Sequence, residues 1–169
     1  MGEKEHKSGF LAIVGQPNVG KSTLMNRITG RKISIITDKP QTTRNRIAGV
    51  KNYKNGQLIF LDTPGIHKPT SLINRYMVQT ALNTLREVDL ILYMVDHRGN
   101  VSEDAEYVLP SLKKADTPVY LLINKIDLMS KEELLPLMDS YNRAIDCEEI
   151  IPVSALTGEN IELVLDLSL

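Results

Sequence analysis

Residues 15–22 read Gly15-Gln16-Pro17-Asn18-Val19-Gly20-Lys21-Ser22, a complete G-x-x-x-x-G-K-S. No other stretch constrains the fold so tightly, because this octapeptide needs a strand before it and a helix after it. Both are legible. Phe10-Leu11-Ala12-Ile13-Val14 is an apolar run of strand length, and Leu24, Met25 and Ile28 recur at helical spacing between Ser22 and Thr29. The glycines let backbone N–H groups turn inward around an anion, and a helix N-terminus aimed at the same point favours negative charge. Lys21 adds a point charge toward β- and γ-phosphates, and the Ser22 hydroxyl can ligate Mg²⁺. Gly15, Gln16, Pro17, Asn18, Val19, Gly20, Lys21, Ser22 and Thr23 are therefore candidate phosphate-binding residues.

The remaining pattern is that of an α/β sheet. Leu90-Ile91-Leu92-Tyr93-Met94-Val95 and Val119-Tyr120-Leu121-Leu122-Ile123 are near-continuous apolar runs, as in parallel strands buried on both faces. Arg46 to Tyr53 and Gln57 to Asp62 flank Asn55-Gly56, a two-residue hairpin signal that makes these strands antiparallel neighbours. A short run, Ile150 to Val153, closes the series. Ser102 is placed to cap the helix after the Leu90–Val95 strand, and Ser130-Lys131-Glu132-Glu133 is a capping box. The last helix is expected from about Glu159, with room for some three turns.

A chain of 169 residues suits one compact domain. The net charge of −1 argues against a globally basic nucleic-acid binder. The single cysteine, Cys147, excludes an internal disulfide and suits a reducing cytosol. No run of eighteen apolar residues is present to span a membrane. Residues 1–8 are expected to form a flexible tail ahead of a domain over 9–169. The start, Met1 to Lys7, lacks the apolar core of a signal peptide, and His6 stands where Gly2 myristoylation needs Ser or Thr.

Three further motifs carry chemistry. Asp62-Thr63-Pro64-Gly65 follows the strand Leu58-Ile59-Phe60-Leu61. A carboxylate there lies beside the phosphate loop and can hold Mg²⁺ through water, while Gly65 can bring its N–H to a γ-phosphate. Asn124-Lys125-Ile126-Asp127 follows the buried strand ending at Ile123. The Asp127 carboxylate can accept the N1–H and 2-amino hydrogens of guanine. Adenine lacks that donor pair, so the unpaired carboxylate discriminates on the order of 10⁴. Lys125 can lay its stem along the purine face, and Asn124 can tie this loop to the phosphate loop. Ser154-Ala155-Leu156 follows the last strand, where the Ala155 N–H can meet guanine O6.

These four motifs, in this order, resemble those of the translation-factor-class GTPases. The run Gly15 to Leu24 is similar to the TrmE–Era group. Gln41-Thr42-Thr43-Arg44, with Asp62-Thr63-Pro64-Gly65-Ile66-His67-Lys68-Pro69, resembles the Era family, and the likeness runs from about Gly9 to Leu169. It implies a three-layer P-loop GTPase fold: a six-stranded, mostly parallel sheet with one antiparallel strand and helices on both faces. It also implies a GTP-hydrolysing switch using Mg²⁺, with Ser22, Asp62 and a switch threonine as metal ligands. Thr43 is favoured for that threonine, with Thr42 the alternative. Era proteins carry a C-terminal RNA-binding KH domain, and the expectation here is of the G domain alone. The implied partners, small-subunit ribosomal RNA and the 30S subunit, belong mainly to the KH domain. The implied setting is a cytoplasmic monomer, at times peripheral at the inner membrane face.

Ile66 stands where Ras-like enzymes keep a water-orienting glutamine. Isoleucine can neither donate nor accept, so a slow intrinsic rate is expected. In the TrmE–Era group a potassium ion, held partly by the asparagine at the position of Asn18, often supplies the missing charge. Arg44 and Arg46 are the competing cationic candidates, and His67 is a weaker candidate base. Asn18, Lys21, Thr43 and Gly65 are the candidate catalytic residues. Two other readings stand beside the switch: a catalytically silent nucleotide-binding scaffold and an ATP-dependent phosphotransferase. Asp127 speaks against the second.

Overall fold

The computed structural model describes residues 7–30, 46–54, 56–63 and 82–169. Six strands form one sheet: β1 (Lys7–Val14), β2 (Arg46–Tyr53), β3 (Gly56–Asp62), β4 (Leu90–Val95), β5 (Val119–Ile123) and β6 (Glu149–Pro152). Their spatial order is β2-β3-β1-β4-β5-β6. Every pairing is parallel except β2 with β3. The described helices are α1 (Lys21–Thr29), α2 (82–86), α3 (Val101–Tyr107), α4 (Leu109–Ala115), α5 (Lys131–Ala144) and α6 (Ile161–Leu167).

The period of two along each strand explains the continuous apolar runs. In β4, Leu90, Leu92 and Met94 join a core that includes Leu24, Met25 and Ile28 of α1 and Ile161, Val164 and Leu165 of α6. Ile91, Tyr93 and Val95 join the opposite core, with Leu85 of α2, Leu109 and Leu112 of α4, and Tyr141 of α5. All six β4 residues are buried, because helices cover both faces. The result is the expected three-layer arrangement. β1 is flanked by β3 on one side and β4 on the other, so the chain winds outward in two directions from it. The C-terminal end of β1 is thus a topological switch point, where crevices open in α/β sheets.

Four local expectations are revised. β1 begins at Lys7, so Lys7 and Ser8 are strand rather than tail; they pair with Gly56 and Gln57. Gly56 belongs to β3, pairing with Tyr53, so it is strand rather than turn. Its glycine is needed for close approach: a Cβ there would lie 2.4 Å from the Lys7 carbonyl oxygen. Asn100, not Ser102, caps α3, its side chain accepting from the Glu103 N–H at 3.2 Å. The last helix starts at Ile161 and runs two turns, because residues 155–160 are spent on turns behind β6. The capping box at α5 forms as expected: Ser130 N–H donates to Glu133 Oε2, and Glu133 N–H donates to Ser130 Oγ.

Candidate nucleotide site

β1 delivers the loop 15–22 to the switch point. Gly15 lies against the end of β4, where a Cβ would fall 2.4 Å from the Met94 carbonyl oxygen. Gly20 is left-handed (φ 106°), and a Cβ on it would meet Asn124 Nδ2 at 2.2 Å. Asn18 is also left-handed, at φ 66°. No side chain caps α1 and no acidic residue occupies its first turn. A helix that begins this way offers its N-terminal amides and dipole to an anion. The Lys21 ammonium folds back over the loop, donating to the Gly15 and Gln16 carbonyls at 2.7 Å each. Ser22 and Thr23 sit exposed on the first turn.

The other motifs arrive at the same end of the sheet. Asp62 ends β3 opposite Ile13, and the Thr63 hydroxyl donates to the Ile13 carbonyl at 2.8 Å, which roots this segment beside the phosphate loop. Asn124 follows β5 and is buried. Its Nδ2 donates to the Val19 carbonyl at 2.8 Å, and its Oδ1 accepts from the Ala155 N–H at 2.8 Å. One amide thus ties the phosphate loop to the segment 154–156. Lys125 is left-handed (φ 65°), and its ammonium donates to the Asn18 carbonyl at 2.7 Å and to Asp96 Oδ2 at 2.8 Å. Asp127 is exposed, with Oδ1 accepting from Ser154 Oγ at 2.6 Å.

The Ala155 N–H, assigned from sequence to guanine O6, is already held by Asn124 Oδ1. A base oxygen there must share that donor or use the next one, Leu156 N–H. Thr42, Thr43, Arg44, Pro64, Gly65, Ile66 and His67 lie outside the described residues, and Asp62 and Arg46 are described by their backbone only.

A family described as 50S ribosome-binding GTPase matches residues 10–125. The chain belongs to that family of GTPases. It is 42% identical to Era in complex with MgGDPNP and nucleotides 1506–1542 of 16S ribosomal RNA, with a TM-score of 0.76 over 96% of this chain. It is also 42% identical to a variant of Aquifex aeolicus Era bound to GDP·AlF4−, with a TM-score of 0.75 over 95% of the chain. The chain spans 56% of the length of each, and the match is to an Era-like G domain. The FeoB G domain of Methanococcus jannaschii shares the fold at 23% identity and a TM-score of 0.68, covering 95% of both chains.

Within this G domain, two carboxylates matter that the motifs did not flag. Asp96 is buried directly after β4 and gathers Lys125 Nζ, the Arg98 guanidinium at 3.0 Å and the Arg98 N–H at 2.9 Å. Burial pushes its carboxyl up, but those hydrogen bonds and the Lys125 charge outweigh it and hold the group down at about 2. Its signal was available: like Asp62, it ends a buried parallel strand. Asp104, buried on α3, accepts from Gln16 Nε2 at 3.1 Å and from the Tyr141 hydroxyl. Burial, reinforced by Asp104, pushes the Tyr141 phenol far up, so it stays a donor. These partners are 88 and 37 residues from Asp104 along the chain, beyond any local pattern. Among the described residues no helix is long and apolar enough to cross a membrane, and no cluster of three His, Cys, Asp or Glu could hold a metal.

Proposed function

We propose that the chain binds GTP and GDP and hydrolyses GTP as a switch. The observation that carries this reading is the clasp at Asn124, which holds the phosphate loop and the segment 154–156 at one end of the sheet. In this reading residues 15–23 cradle the phosphates, with Lys21 placed to leave its loop carbonyls for the β- and γ-oxygens. Asp127 takes the N1–H and 2-amino hydrogens of guanine, and Ser154 fixes that carboxylate's orientation. Asn124 and Lys125 hold the loops that carry these groups.

The residues also fit Mg²⁺. The Ser22 hydroxyl sits on the exposed first turn of α1, and Asp62 ends β3 at the root of the phosphate loop. Hydroxyl and carboxylate oxygens are the hard donors this ion prefers. Ser22, Asp62 and Thr43 would hold it, and when bound it neutralises charge on the phosphate oxygens. Thr63, Pro64 and Gly65 would follow the γ-phosphate. Loss of that phosphate releases Thr43 and Gly65, which makes the two segments a nucleotide-dependent surface. With Ile66 in place of a water-orienting side chain, turnover is slow unless a cation such as K⁺, taken by Asn18, completes the site.

The Era-like character supports a role in assembling the small ribosomal subunit, through contact with 16S ribosomal RNA made by a longer protein. The cytoplasmic setting, with peripheral contact at the inner membrane face, rests on that resemblance alone. The test is single-turnover hydrolysis of GTP with Mg²⁺ and K⁺, in competition with ATP. GTP should be consumed and ATP should not compete. Equal competition by ATP would refute the guanine reading, and binding without turnover would leave a nucleotide-responsive scaffold.

A further inference from the structure

Arg27 lies on the last turn of α1, outside all four motifs. Its Nε donates to the Ala155 carbonyl at 2.6 Å, and its Nη2 donates to the Leu156 carbonyl. Gly158 makes room for it: φ is 93°, and a Cβ would sit 2.9 Å from Arg27 Nη1. The rigid fork of a guanidinium thus fixes two successive peptide planes at once. No peptide among the described residues is cis. In a trans peptide the N–H points opposite to the C=O. The Leu156 and Thr157 N–H groups must therefore point away from α1. Thr157 N–H does so, reaching Ser154 Oγ at 3.1 Å, and Ser154 Oγ in turn donates to Asp127. Leu156 N–H faces the same side and donates to no described residue, whereas Ala155 N–H is engaged by Asn124.

We infer that Arg27 is a positioning residue for base recognition: by gripping the Ala155 and Leu156 carbonyls it aims the Leu156 N–H at the purine C6 oxygen. This rests on the guanine reading above. It also links the two ends of the ligand, since Arg27 stands on the same helix as Lys21 and Ser22.

The test compares binding of GDP, 6-thio-GDP, IDP and ADP to the unaltered protein and to Arg27→Ala and Arg27→Lys. Sulfur is a weak acceptor, so 6-thio-GDP reports on the C6 contact. IDP lacks the 2-amino group and reports on Asp127. Arg27→Ala should weaken GDP about tenfold and shrink the preference for GDP over 6-thio-GDP by a similar factor. The preference for GDP over IDP should hold. Arg27→Lys, which can serve one carbonyl at a time, should fall between. A GDP to 6-thio-GDP ratio unchanged by Arg27→Ala would overturn the assignment, as would an equal collapse of both ratios, which marks general loosening. Equal binding of GDP and ADP by the unaltered protein would instead overturn the guanine reading, and this inference with it.

Discussion

Replacing Asn124 by alanine should destabilise the domain by undoing the tie between two of its site loops. The residue is 2% exposed, and its side chain serves two buried backbone groups, the Val19 carbonyl (residue 6% exposed) and the Ala155 N–H (residue 1% exposed). Alanine leaves both without a partner. A buried polar group orphaned in this way costs about 1–3 kcal/mol, and the small space left admits some water, so the loss should total about 2–4 kcal/mol. At ~2–4 °C per kcal/mol for a domain of this size, the midpoint should drop by roughly 5–15 °C. The chain has no tryptophan, so urea unfolding is best followed by far-UV circular dichroism. The midpoint should move with the slope unchanged, since the surface exposed on unfolding is the same. GDP should stabilise the variant less than the unaltered protein at equal concentration, because the stability that binding adds grows with the logarithm of affinity. A loss below about 0.5 kcal/mol would refute the reasoning, since it would mean that the two loops keep their geometry without the clasp.

Tyr141→Phe should cost about 1–3 kcal/mol in urea, because it strips the buried Asp104 of a donor while keeping the edge-on ring contact with Tyr93 at 6.3 Å; a neutral result would show that Asp104 needs only Gln16. Asp96 has an ordinary value of 3.8 and is held at about 2 in the fold. A depressed carboxyl stabilises above its unfolded value, so about 2 kcal/mol should be present above pH 4 and be lost as the pH falls from 4 to 2. Asp96→Asn should flatten the acid limb of the stability curve in that window, and an unchanged limb would count against the Lys125 and Arg98 contacts. GTP turnover should be faster in K⁺ than in Na⁺ and lose that difference in Asn18→Asp; equal rates throughout would remove potassium from the proposal.

The sheet was legible because its buried strands leave little choice. Leu90 to Val95 alternates between two cores, and only a sheet covered on both faces buries all six side chains. The ends of elements were less legible, because caps and turns depend on one or two atoms. Gly56 reads as a turn residue by composition, yet its role is to let β1 pass at close range. Ser102 reads as a cap by type, yet Asn100 reaches the Glu103 N–H first. In each case a contact from a neighbouring strand or a single hydrogen bond overrode the local preference.

The site divides along the same line. Gly15 to Ser22 and Asn124 to Asp127 are contiguous, so backbone geometry alone fixes what each can present, and the motifs could be read by spacing. What holds the pieces to each other runs between distant parts of the chain: Asn124 to Val19, Lys125 to Asp96, Asp104 to Gln16, Arg27 to Ala155. Three of those four contacts end on a P-loop or base-loop group that any residue type, or any glutamine, could supply, so no spacing rule marks them. Asn124 shows the consequence. Its place in N-K-x-D suggested a tie to the phosphate loop, but not that its other atom takes the Ala155 N–H expected on the base. With that donor engaged by Asn124, the proposal gives the purine oxygen the next amide in the turn, held in direction by the arginine behind it. On that proposal, recognition of the base depends on α1, the helix that also begins the phosphate site.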